Sequence, residues 1–282
     1  MIVMRMCGGL GNQMFQYALG RRLSFDRKTP LLLDIAPFET TAERGETPRS
    51  YRLHFLRTQA EATRDWQSVV KSSFPTGSRI EITGINETSD AFNPQILQCP
   101  DNAYLIGYWQ SEKYFVDIAD QIRADFQLAS AMTADRQALA AQMAEGESVS
   151  IHIRRGDYVT HPGSILNIGT CAPEWYAKAM GLMADRVENP RFFVFSDDPD
   201  WGRTNLPKVK GMVFIDSQPD DREFEDMHLM SKCRHHIIAN SSFSWWGAWL
   251  NPALDKKVIA PERWILGPTS INDRLPASWI RF

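Results

Sequence analysis

No CxxC pair occurs in this chain. Cys7, Cys99, Cys171 and Cys233 lie far apart, which argues against a thiolate zinc site or a thioredoxin-like motif and for a reducing compartment. Long apolar runs are missing too, since no stretch approaches the roughly 20 uncharged apolar residues that span a membrane. Met1 to Met6 runs straight into a glycine turn and is too short for the apolar core of a signal peptide. Positive charge is not in excess: the formal net charge is −3, so no global basic field recruits nucleic acid or acidic lipid. Repeats at a fixed period and low-complexity tracts are also absent. The expectation is a cytoplasmic protein with no nucleic-acid partner and at most peripheral contact with the inner membrane.

What is present is a globular composition, 43% hydrophobic and 23% charged over 282 residues. That length suits one large α/β unit or two ordinary domains sharing a cleft. Ile2 to Cys7 reads as a short strand. Gly8-Gly9-Leu10-Gly11-Asn12-Gln13 reads as a turn. Phe15, Ala18, Leu19 and Leu23 recur at helical spacing, and Leu31 to Ile35 reads as a second strand. This βαβ unit predicts a parallel sheet. From Glu39 to Asp101 no strong periodicity survives. Leu105 to Phe126 looks helical after a short strand, and Ala131 to Ala144 predicts a helix ending at Gly146, the expected domain boundary.

The second half repeats a strand-loop-helix rhythm. Strands are expected at Val149–Ile153, Arg191–Phe195, Met212–Ile215, His235–Ala239 and Lys257–Ile259, with helices at Pro173–Arg186 and Phe224–Cys233. Three strands are followed at once by polar residues: Arg154-Arg155-Gly156-Asp157, Ser196-Asp197-Asp198 and Asn240-Ser241-Ser242. Open parallel sheets bind ligands beyond the carboxyl ends of their strands, so these loops describe one binding site.

Each constellation has a chemical and a plain reading. Arg154 and Arg155 offer planar donor forks suited to phosphate oxygens, with Asp157 orienting an Arg or capping the loop; an isolated string of this kind is more readily a surface ion pair, but its place at a strand end favours the ligand reading. Ser241, Ser242 and Phe243 open a helix whose free N–H groups suit an anion, whereas Trp246 and Trp249 read as core. Asp197, or Asp226 on a helix start, is able to read guanine by accepting from N1–H and the exocyclic amine; N-capping by Asp198 is the plain alternative. Gly8 to Gln13 approaches a dinucleotide fingerprint, with Asp34 near the position of a ribose acid, but Met14 stands where the third Gly belongs. A turn presenting Asn12 and Gln13 to sugar hydroxyls accounts for it better. Asp198-Pro199-Asp200 is formally an Asp-x-Asp, yet no His or carboxylate clusters with it. His235 and His236 face opposite ways on a strand. No metal is expected.

In order, Gly-Gly-Leu-Gly-Asn-Gln-Met-Phe-Gln-Tyr-Ala, His-Ile-Arg-Arg-Gly-Asp-Tyr, Phe-Ser-Asp-Asp and Ala-Asn-Ser-Ser-Phe-Ser-Trp-Trp-Gly-Ala-Trp-Leu resemble the α-1,2-fucosyltransferases of glycosyltransferase family 11. The resemblance runs from Gly8 to Trp264. It implies a GT-B fold, two Rossmann-like domains with parallel sheets facing across a cleft: an acceptor-side domain 1–146, a GDP-fucose-binding domain 147–265, and a tail 266–282 returning to the first. It implies inverting, metal-independent transfer of L-fucose from GDP-fucose, with no cofactor, to a 2-hydroxyl of an oligosaccharide or glycolipid, a terminal β-galactose being the first guess. Arg154 would bind the β-phosphate with Ser241, Ser242 and the backbone near Phe243. His152 and Asp226 would contact guanine or ribose, and Asn12 would sit between donor and acceptor. Arg155, Asp157 and Asp197 would support the donor site. Acceptor choice is expected in the 39–101 region. The rival readings are a fucosyltransferase of other linkage, another nucleotide-sugar donor, and a non-catalytic carbohydrate-binding protein, to which the nine Trp would lend stacking faces.

Overall fold

A computed structural model describes residues 1–40, 48–216, 222–266 and 273–282. The chain divides into two compact units, Met1–Ala129 with Ile271–Pro276, and Ser130–Ser270 with Ala277–Phe282.

The first unit carries strands β1 (Ile2–Arg5), β2 (Leu31–Asp34), β3 (Glu61–Thr63), β4 (Thr83–Asn86) and β5 (Ala103–Ile106) and helices α1 (Leu10–Arg27), α2 (Trp66–Ser72) and α3 (Ala119–Asp125). The sheet order is β3-β2-β1-β5-β4, and every pairing is parallel. The central strand is wholly apolar at Ile2, Val3 and Met4 and fully buried, as a sheet covered on both faces requires. The expected βαβ start is therefore present. The 39–101 region hides two strands and a helix because β3 and β4 are largely exposed edge strands, and an edge needs no apolar alternation to hold its place. The helix expected across Leu105–Phe126 is confined to α3. Before it the chain forms β5, a held loop and 3-10 turns at Glu112–Tyr114 and Val116–Ile118.

The second unit carries β6 (Ser148–Ile153), β7 (Arg191–Ser196), β8 (Val213–Phe214), β9 (His235–Ile237), β10 (Val258–Ala260) and β11 (Ile280–Arg281). Its helices are α4 (Ala134–Met143), α5 (Gly156–Thr160), α6 (Pro162–Asn167), α7 (Pro173–Ala184), α8 (Pro199–Asn205), α9 (Glu223–Met230) and α10 (Ser242–Leu250). The sheet order is β11-β10-β9-β6-β7-β8, all parallel. Counted from β6, this is the doubly wound 3-2-1-4-5-6 order of dinucleotide-binding domains. Val149, Ile151 and Ile153 of β6 pack with Tyr176, Ala179, Met180 and Met183 of α7. The expected α/β fold of two Rossmann-like parallel-sheet units is what the chain forms.

Two boundaries differ from expectation. The division falls after Ala129 rather than at Gly146, because α4 is tied into the second unit by Arg136, which pairs with Glu225 and Asp226 of α9. Of the tail, only Ile271–Pro276 sorts with the first unit. The last residues complete the second sheet as β11 beside β10, and the Phe282 ring stacks on Trp175 at 5.4 Å.

Candidate active site

The strand order of the second sheet reverses between β6 and β9, its two central neighbours. A crevice opens beyond the strand ends at such a point. The chain delivers His152 to Asp157 there from β6 and Ala239 to Phe243 from β9, with Ser196 to Asp198 arriving from β7 next door.

These segments are knitted by charge. Arg154 Nη2 donates to Asp157 Oδ1 at 2.5 Å, and Arg154 Nη1 pairs with Asp197 Oδ2 at 2.9 Å. Its guanidinium lies over the Tyr158 ring at 5.4 Å. Asp197 also accepts the Arg155 amide at 2.8 Å and the Gly156 amide. A Cβ on Gly156 would stand 2.6 Å from Asp197 Oδ2, so only glycine lets the two loops close. Burial lifts the Asp197 carboxyl above its ordinary range, opposed by Arg154 and these amides. Arg155 turns elsewhere: Nε donates to Asp198 at 3.0 Å, and the guanidinium covers Trp201 at 4.6 Å. Arg154, Asp157 and Asp197 thus form one network, while Arg155 and Asp198 anchor the loop to α8. A guanidinium has five N–H donors. Arg154 spends one each on two carboxylates, and its Nε is buried without a partner among the described residues.

Helix α10 begins across the reversal. Ser241 is its extended N-cap, with no side-chain cap bond, and the first intrahelical bond runs from Trp245 N to Ser241 O at 3.0 Å. The first-turn amides of a helix have no partner within it and carry its positive end. Asn240 fixes this turn. Its Nδ2 donates to the carbonyls of Ile168, Gly169 and Trp264, each at 3.2 Å, and its own carbonyl accepts from Tyr158 Oη at 3.2 Å. Trp245, Trp246 and Trp249 are buried, which bears out the core reading for the last two.

His152, last but one in β6, is 5% exposed, its ring 5.6 Å from that of Phe243. Burial, helped by the Arg154 charge, lowers its pKa to about 3. The imidazole is therefore neutral across the physiological range, with one ring nitrogen a donor and the other an acceptor. Its Nδ1 has no partner among the described residues, and a buried polar atom of this kind calls for a ligand or water.

Asp226 stands apart from this network. It is ion-paired with Arg136 of α4, next to Glu225, which is 1% exposed and bridged by both Arg136 and Arg222. Sequence reading missed Arg136, since a lone Arg in an Ala/Gln-rich helix looks like solvated surface. It also passed over Asn240, Tyr158 and Gly156 as working parts, although all three lie within the quoted strings.

In the first unit Asn12 accepts from Gln110 Nε2 at 2.8 Å. Gln13 is not presented as expected. It is fully buried and spends its amide on Gly8 O, Ser50 O and the Arg52 N–H. Asp34 likewise accepts from Tyr104 Oη at 2.6 Å and the Ala36 amide, a structural use. His235 pairs with Glu147 at 2.7 Å, and His236 bonds Ser150 at 2.9 Å and Asn251 at 3.0 Å, so the two rings serve separate networks. Among the described residues, no three His, Cys, Asp or Glu side chains converge as metal ligands, and no helix is long and apolar enough to cross a membrane.

The family model described as Glycosyl transferase family 11 matches residues 1–265. An α-1,2-colitosyltransferase of Escherichia coli is 33% identical over 99% of this chain and 98% of its own. The O-antigen biosynthesis glycosyltransferase WbnK of Escherichia coli is 31% identical over 92% and 93%. Galactoside α-(1,2)-fucosyltransferase 1 of Aotus azarae is 28% identical over 52% of this chain and 42% of its own. Among solved structures, the fucosyltransferase NodZ from Bradyrhizobium aligns at a TM-score of 0.48 and 12% identity, covering 87% of this chain and 91% of that one.

Proposed function

We propose that this chain, which belongs to glycosyl transferase family 11, transfers L-fucose from GDP-β-L-fucose to the 2-hydroxyl of a terminal β-galactose on a glycan, with inversion and without a metal. The observation that carries the reading is Arg154, held by Asp157 and Asp197 at the strand-order reversal beside the open end of α10. Fixed donors of this kind suit a diphosphate.

In the proposed reaction the acceptor oxygen bonds to the anomeric carbon as the bond from that carbon to the β-phosphate oxygen breaks. The electron pair stays on GDP, and the sugar passes through an oxocarbenium-like state. Negative charge grows on the leaving oxygen, so the Arg154 donors and the α10 amides stabilise the transition state more than the ground state. The Nδ1 of His152 serves as a donor-site contact, with Ser241, Ser242 and Phe243 around the phosphates. Asp226, tied to Arg136, helps shape the nucleoside end from α9. His152, with its pKa held down to about 3, is a weak base, and Asp157 is engaged by Arg154, so neither is assigned as base. Cleavage runs ahead of attack, and the hydroxyl proton leaves to solvent once the new bond has formed.

Arg154→Ala is expected to lower kcat/KM by about 10²–10³ or more while the fold and melting temperature persist, and the parent is expected to keep its rate in EDTA. Near-normal turnover in the folded variant, or a requirement for added divalent cation, would sink the assignment. GDP binding by calorimetry separates this reading from a lectin, which ignores the nucleotide. A second donor, GDP-colitose, is favoured by the match to the colitosyltransferase along essentially the whole chain. Competition between the two donors on a panel of galactosides, with linkage analysis, decides between them. The match to an O-antigen biosynthesis glycosyltransferase favours a surface-glycan unit as acceptor.

A further inference from the structure

The first sheet has its own reversal, between β1 and β5; the chain leaving β1 carries Asn12 in the first turn of α1, and the loop leaving β5 carries Gln110. Gln110 Nε2 donates to Asn12 Oδ1 at 2.8 Å. Arg274 Nε donates to Gln110 Oε1 at 3.1 Å, and Arg274 pairs with Asp90 at 2.6 Å. Arg274 is 8% exposed. Four side chains thus run in line to Asn12 from an ion pair in which Arg274 is buried and Asp90 reaches solvent.

The direction of this chain is dictated by chemistry. A guanidinium donates and never accepts, whereas a primary amide does either. The Gln110 atom facing Arg274 must therefore be its oxygen, and Gln110 turns its NH₂ toward Asn12. Asn12 must meet that NH₂ with its own oxygen. What is left to Asn12 is Nδ2, a donor, packed over Gly8 where an added Cβ would come within 2.5 Å of it. The loop bearing Gln110 is built at a cost. Trp109 holds φ at +56° while 1% exposed, a left-handed conformation that costs a bulky residue about 1–3 kcal/mol. Glu87 clamps it by accepting the amides of Tyr108 at 2.6 Å and Trp109 at 3.0 Å.

We propose that Arg274 and Gln110 are positioning residues that set the amide polarity of Asn12, so that Asn12 donates a hydrogen bond to an oxygen of the acceptor glycan and takes no proton from it. The catalytic arm of this proposal rests on the transfer reaction proposed above; the polarity relay itself does not.

Gln110→Glu tests it by inversion. The carboxylate is nearly isosteric and still accepts from Arg274, so the fold is kept. It only accepts, so Asn12 must turn its NH₂ inward and leave its oxygen outward. The Asn12 side-chain amide protons, identified by their loss in Asn12→Asp, are expected to move downfield and become protected from water exchange. In transfer assays kcat/KM for the galactoside is expected to fall about 10- to 100-fold, with GDP affinity by calorimetry unchanged. Arg274→Met is expected to show a similar loss, which Arg274→Lys, also a pure donor, rescues in part. If Gln110→Glu does not fold, the two Arg274 variants read the same polarity. Unshifted Asn12 amide protons, parent-like acceptor kinetics in Gln110→Glu, or equal loss in both Arg274 variants overturns the proposal. A parent that transfers no sugar from GDP-fucose sinks the reaction assigned above, while the amide resonances still decide the relay.

Discussion

Arg154 carries its charge into a site where two guanidinium groups face three carboxylates, those of Asp157, Asp197 and Asp198. The cluster is no simple cationic patch. The carboxylates aim Arg154 and temper its field, so in the reaction proposed above its part depends on direction as much as charge. Gly156 is the residue on which that aim turns. Glycine in a first helical turn is usually worse than alanine by roughly 0.5–1 kcal/mol, but here the added Cβ meets Asp197 Oδ2 at 2.6 Å, and overpacking costs about 1–3 kcal/mol. The clash outweighs the propensity. Gly156→Ala is expected to lower both the melting temperature and kcat/KM, the latter at least 10-fold; thermal melts beside initial rates check both.

Among the elements, α7 offers the opposite case. Gly181 lies inside it, exposed, with open space where a Cβ would stand. Gly181→Ala is expected to stabilise by about 0.5–1 kcal/mol with activity unchanged, read from denaturant midpoints. The contrast also shows why parts of this protein are legible in its sequence and others are not. Strands β1, β6 and β7 are buried on both faces, so their apolar runs announce them; β3 and β4 lie on edges and their sequences say little. The loops after β6, β7 and β9 are readable because polar residues follow apolar strands at once. Within them, what could not be read was who holds whom. Arg154 and Arg155 are adjacent and chemically alike, yet one joins Asp157 and Asp197 and the other Asp198 and Trp201. Gln13 next to Asn12 is spent on backbone from residues 37 and 39 positions away. Such choices depend on chain brought back from a distance, and Arg274, 164 positions from Gln110, is the extreme example.

For the whole molecule, buried imidazoles set the response to acid. Burial and the Arg154 charge hold His152 down to about 3. Burial and Lys232 hold His228 down to about 4, and burial chiefly holds His236 well below its ordinary value. In the unfolded chain each titrates near 6.5, so between that value and the folded one the unfolded state binds more protons. Stability from these groups is complete above about pH 6.5 and is lost as pH falls toward the folded values, by up to about 1.4 kcal/mol per pH unit for each imidazole. Melting temperatures are expected to be flat near pH 7 to 8 and to drop steadily below 6.5, with a shallower drop in His228→Gln. A melting temperature that holds steady down to pH 4.5 would contradict this.

The path of the chain near its end has a consequence for inheritance. The segment Ile271–Pro276 belongs to the first unit and the strand after it to the second, so neither unit is one uninterrupted stretch of gene. A recombination event that swapped the first unit between relatives at residue 129 would bring in a new Asn12 and Gln110 but leave the old Arg274 behind. A new first unit would therefore be acquired by two exchanges, or by one exchange followed by repair at position 274. Drift at this single late codon is constrained by residues more than a hundred and fifty codons upstream.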